Sequence, residues 1–94
     1  MRDKLATAMK DAMKSGDSRR LSTVRLIQTA IKARDIANRG AGKDPGSEDE
    51  IMQILHKMVK QREESAKIYH DAGRAELATQ EREEIDVIKS FMPE

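Results

Sequence analysis

Leu5, Met9, Ala12 and Met13 recur at i, i+4, i+7 and i+8. That spacing gathers side chains on one face of an α-helix and predicts a helix over residues 2–14. Ser15-Gly16-Asp17 interrupts it. Gly16 suits a left-handed helix end, and Asp17 or Ser18 suits the cap of the helix that follows. That second helix is predicted over 18–39. Leu21, Val24, Ile27 and Ile31 share one side of it, while Leu26, Ala30, Ala33 and Ala37 make a second face of smaller residues. A helix apolar on two sides is expected to lie centrally, with a neighbour on each. Its length is roughly 33 Å at 1.5 Å per residue. A compact chain of this size has a radius of gyration of about 12–13 Å, so an elongated shape is expected.

Three glycines and one proline between Gly40 and Gly46 predict a flexible loop over 40–47. Ser47-Glu48-Asp49-Glu50 then has the form of a capping box, and its acids suit the positive end of a helix dipole. Ile51, Ile54, Leu55, Met58, Ala66, Tyr69 and Ala72 form the apolar stripe of a third helix, predicted over 48–72. Gly73 breaks it. Leu77, Ala78, Ile85, Ile88 and Met92 line a fourth helix over 74–92, which Pro93 ends. The fold class expected is all-α: an elongated bundle of about four helices. Residues 1–94 are read as a single helical domain, with helical hairpins over 1–39 and 48–92.

Composition narrows the function. The chain is rich in helix formers such as Ala, Glu, Lys, Arg, Met and Gln. No apolar run exceeds two residues, so no membrane-spanning helix and no signal peptide are expected, and a cytoplasmic location is. The absence of Cys removes disulfides and thiol chemistry. One Tyr, one Phe and no Trp leave no platform for stacking bases. The net charge of +1 hides an asymmetry, +6 over residues 1–47 and −5 over 48–94. It marks either a basic face for a polyanion or two halves that attract each other.

Several constellations fail as chemistry. Gly40-Ala41-Gly42-Lys43 lacks the phosphate-loop spacing: Ala37 stands where a glycine is needed and Asp44 where Ser or Thr is. His56, Glu63 and His70 share a face, but steps of about 10.5 Å are too long for one metal. Glu83-Glu84 lies in a charge run of the kind that is usually a solvated helix face. No catalytic residue, cofactor or metal is expected.

Two sets of charges remain. Arg62 interrupts the third apolar stripe between Met58 and Ala66, and Glu81 interrupts the fourth between Ala78 and Ile85. A reversal at Gly73 would bring them into one seam, as an ion pair of Arg62 with Glu81 or Glu84, or as a contact to a further domain or partner. Arg25, Lys32 and Arg39 recur every seven residues on the second helix, with Arg19 and Arg20 at its start. Such a basic edge suits a phosphate backbone, and arginine suits phosphate oxygens. The same side chains would otherwise pair with acids of the fourth helix, such as Glu83, or stay solvated.

Arg20-Leu21-Ser22-Thr23-Val24-Arg25-Leu26-Ile27, Met58-Val59-Lys60-Gln61-Arg62-Glu63-Glu64-Ser65, Ala72-Gly73-Arg74-Ala75-Glu76-Leu77-Ala78 and the closing Phe91-Met92-Pro93 together resemble the GatB/YqeY family, and more closely its standalone YqeY-like members. The resemblance runs over nearly the whole chain. It implies an N-terminal helical bundle followed by a smaller helical tail domain, and this sequence stops before that tail. The same module is attached to one subunit of the tRNA-dependent amidotransferase, where the resemblance implies a tRNA-contacting appendage rather than a catalytic centre. Any carbon–nitrogen ligase activity would then need other subunits.

The expected function is an accessory tRNA-associated domain of amidotransferase type. Arg19, Arg20, Arg25, Lys32 and Arg39 would contact phosphates, with Lys57 and Lys60 in support. Its partners would be tRNA and components of an amidotransferase or an aminoacyl-tRNA synthetase, with no membrane. The alternative is a helical protein–protein interaction module without an RNA role, docking through exposed Val87 and Phe91.

Overall fold

A computed structural model describes residues 1–93. Those residues form four helices: α1 (Arg2–Ser15), α2 (Ser18–Gly40), α3 (Glu48–Asp71) and α4 (Ala75–Lys89). The breaks have local causes. Gly16 and Gly73 take φ of 72° and 74°, a left-handed conformation that costs a Cβ-bearing residue energy. Each lets the next residue's N–H fold back on the ending helix, Asp17 to the Ala12 carbonyl at 3.0 Å and Arg74 to the Tyr69 carbonyl at 2.8 Å. Asp17 Oδ1 then caps α2 by accepting the Arg20 N–H at 3.0 Å. Ser47 and Glu50 close the capping box of α3.

All four helices feed one core. Leu5 of α1, Val24 and Ile27 of α2, Ile51 and Leu55 of α3 and Ile88 of α4 are at most 1% exposed. The longest seam joins α3 to α4. Helix α1 lies along α2, α4 also crosses α2, and α2 meets α3 only sparsely. The radius of gyration is 14.4 Å, with extents of 46 × 31 × 25 Å. Among the described residues no helix is long and apolar enough to cross a membrane.

Several positions depart from the periodic reading. On α1 the buried residues are Leu5, Ala8 and Ala12. That rotates the core face away from Met13, which is exposed. Ala72 and Leu77 are exposed at the elbow between α3 and α4. Helix α4 ends at Lys89, three residues short of the predicted end. A turn closed by the Phe91 N–H on the Ile88 carbonyl folds Phe91 inward. Phe91 is therefore 3% exposed, and the docking role expected of it is corrected. Val87, also expected to dock a partner, is half-buried against the core.

The largest departure concerns α2. Its second apolar face was expected to be covered. Leu26, Ala33 and Ala37 are exposed and Ala30 only half-buried. The sparse contact with α3 leaves an open groove of about 540 Å³, floored by Ala30, Ala33 and Ala37 and walled by Ile54 and Met58.

Candidate nucleic-acid interface

The basic edge depends on α2 staying helical from Ser18 to Gly40, a span that includes Arg25, Lys32 and Arg39. Seven residues carry a helix through nearly two whole turns, so this line drifts only about 20° per step. All three side chains are exposed. None makes a hydrogen bond or ion pair with another described residue. Lys32 also borders a small cleft with Arg2, Leu5, Gln28, Ile31 and Asp35. That places the line beside the N-terminal end of α1.

The other candidates are not presented in the same way. Arg19 is half-buried, with Nε 3.4 Å from Glu83 Oε2. The approach is close enough for ionic attraction but poorly angled, so Nε makes no hydrogen bond. The guanidinium of Arg20 stands 5.0 Å from the centre of the Phe91 ring, and its Nη1 donates to Ser90 Oγ at 3.3 Å. Arg19 thus fastens the start of α2 to the middle of α4, and Arg20 fastens it to the turn that follows α4. Lys57 and Lys60 are exposed on α3. Lys57 borders the α2–α3 groove, whose alanine floor lies roughly 130° around α2 from the basic line at 100° per residue. One straight backbone segment would not touch both. His56, Glu63 and His70 are exposed, and among the described residues no three acidic or histidine side chains cluster to hold a metal.

Two arginine–carboxylate clusters tie the helices together, one of them beside the basic line. At one end Arg2 grips Asp35 with both arms of its guanidinium, Nη1 to Oδ2 at 2.8 Å and Nη2 to Oδ1 at 2.9 Å. Nη2 also donates to the Gly46 carbonyl at 2.9 Å, and the Gly46 N–H donates to Asp35 Oδ1 at 2.8 Å. The loop before α3 is therefore pinned at Gly46, where an added Cβ would stand 3.3 Å from Asp35 Oδ1. The Arg2 hydrogen bonds, helped by the Gly46 amide, hold the Asp35 carboxyl down at about 2. Beside it, Glu50 accepts from Asn38 Nδ2 at 3.2 Å and meets Arg34 Nε at 2.9 Å. Its carboxyl is lowered chiefly by the Asn38 hydrogen bond.

In the α3–α4 seam, Arg62 Nε meets Glu84 Oε1 at 3.2 Å, with the two side chains only 16% and 9% exposed. Arg62 Nη1 also donates to the Met58 carbonyl at 3.3 Å. Glu81 makes no such pair with any described residue. Burial, with the Glu84 charge nearby, raises its carboxyl above the ordinary range. Sequence reasoning overlooked Asn38 and Thr23, both buried. Polar residues leave no trace in an apolar periodicity; Thr23 is satisfied by the Arg19 carbonyl at 2.8 Å.

A model of the YqeY-like protein family matches residues 2–94. The chain belongs to the YqeY-like family. Among its curated relatives is altered inheritance of mitochondria protein 41 of Clavispora lusitaniae, 34% identical over 94% of this chain and 49% of that protein. The protein of the same name in Saccharomyces cerevisiae is 30% identical over 89% of this chain and 44% of its own length. The chain therefore spans slightly under half the length of these YqeY-like relatives. Both are named as mitochondrial proteins. That corrects the cytoplasmic location expected from the sequence.

Proposed function

We propose that this YqeY-like chain is an accessory RNA-binding module that holds the phosphate backbone of tRNA along one edge of α2. The observation that carries this reading is the row of Arg25, Lys32 and Arg39, exposed and unpaired within the described residues. Arg19, Arg20, Lys57 and Lys60 contribute long-range attraction rather than direct contact. Binding of this kind is electrostatic and indifferent to base sequence, because the one Tyr and one Phe offer no stacking surface. Under this reading the amidotransferase connection is one of attachment. The module holds tRNA, and carbon–nitrogen bond formation belongs to other subunits.

The test replaces Arg25, Lys32 and Arg39 together with Gln and titrates tRNA at low and moderate salt. Retained helix content by circular dichroism shows that the variant is folded. Removing three phosphate contacts should weaken binding at least about tenfold at low salt and flatten the slope of log K against log salt by about 2–3. A folded variant that binds as the parent does, or a parent that does not bind at low salt, removes RNA from this edge.

A further inference from the structure

We propose that the groove between α2 and α3 is a docking site for an acidic amphipathic helix of another protein. Its floor is α2's second apolar face, where Ala30, Ala33 and Ala37 recur at i, i+3 and i+7. Side chains this small let a facing helix approach closely, near the lower end of the usual 8–10 Å interaxial range. The opposite wall, Ile54 and Met58, comes from α3. Methionine adapts its shape to whatever lies against it. The floor runs about 10.5 Å along α2, which suits two turns of a partner carrying large apolar residues at i, i+3 or i+4, and i+7.

Charge fixes the chemistry of that partner. Arg34 on α2 and Lys57 on α3 border the groove, and no carboxylate lines it. Arg34 holds Glu50 only through Nε, while Lys57 has no ion pair with any described residue. A helix with Asp or Glu flanking its apolar stripe would meet these cations, and one flanked by Lys would be repelled by them. RNA suits the groove poorly, because an apolar floor offers nothing to phosphates. A second copy of the chain would have to place one patch against a different patch. Repeated from copy to copy, that arrangement builds rings or open filaments and not a simple pair.

The experiment uses two fluorescein-labelled 18-residue peptides with the same leucine stripe, one flanked by Glu and one by Lys. They are titrated by fluorescence anisotropy against the 94-residue chain. The Glu-flanked peptide should bind roughly tenfold more tightly, the equivalent of about 1.4 kcal/mol. Amide chemical-shift changes should concentrate on Ala30, Ala33, Ala37, Ile54 and Lys57. Ala33→Glu places a charge on the floor at an exposed helical site, where folding is retained, and should weaken binding of the Glu-flanked peptide at least tenfold. Lys57→Glu should narrow or reverse the preference between peptides. Equal binding of the two peptides, shifts centred elsewhere, no saturable binding below about 1 mM, or dimerisation of the parent that Ala33→Glu abolishes, would each overturn the proposal.

Discussion

Arg62 and Arg2 do similar chemistry in opposite surroundings. Each binds a carboxylate and a backbone carbonyl. Arg62 joins Glu84 and the Met58 carbonyl inside the α3–α4 seam. Arg2 joins Asp35 and the Gly46 carbonyl near the surface, with 45% of its side chain exposed. In geometry the Arg2 clasp is the better pair, since it is bidentate and shorter. Water nonetheless weakens what it contributes, because a solvated ion pair exchanges one set of favourable contacts for another. The Arg62 pair is less ideal in geometry, yet its loss strands a charge where little water reaches it. Surroundings, more than hydrogen-bond length, decide which pair the fold depends on.

The largest expected effect is therefore at Arg62. Arg62→Ala should destabilise the bundle by about 3 kcal/mol by leaving Glu84 buried and unpaired. For a chain this size that corresponds to a midpoint lower by about 12–24 °C, checked by urea and thermal unfolding. Replacing Arg62 with Met and Glu84 with Leu together should recover most of the loss. A double variant as unstable as Arg62→Ala would show that the pair itself, and not the stranded charge, matters.

Asp35→Asn should cost less at neutral pH, and its clearest signature is in acid. The folded Asp35 carboxyl lies at about 2, below its ordinary 3.8. A lowered acid contributes stability that is fully present above the unfolded value and fades as pH falls toward the folded one. The parent should therefore lose this contribution between about pH 4 and 2, and Asp35→Asn should show a flatter acid limb there. Parallel acid limbs in the two proteins would remove the clasp's electrostatic role.

The smallest effect is expected at Glu81. A raised acid has the opposite sign: the folded state holds its proton more tightly, so stability falls as pH rises from about 4.5 through the raised value. Glu81→Gln should then stabilise the protein slightly at neutral pH, by a degree or two as for modest near-surface changes. The gain should vanish in acid. A loss of stability at neutral pH would mean that Glu81 helps to hold Arg62 after all.

Much of this fold is legible in the chain. Apolar spacing marks four helices, and glycine or capping residues mark their ends, because those signals act within a few residues of one another. The Arg62 anomaly is legible too: a charge inside an apolar stripe needs a partner wherever the stripe is covered. What the sequence alone left open is which faces are covered. Leu26, Ala33 and Ala37 have the spacing of a buried face, yet they are exposed, because α2 packs on α1 and α4 and only brushes α3. Phe91 belongs to the helical stripe's edge by periodicity, yet a single turn after Lys89 folds it into the core. For Arg19 and Arg20 the sequence offers phosphate, an acid of the fourth helix such as Glu83, or solvent, and it is the approach of α4 that engages them. Periodicity sets the direction in which each side chain leaves its own helix. Only the packing of one helix on another decides what waits there, whether a core, a counter-charge or open groove.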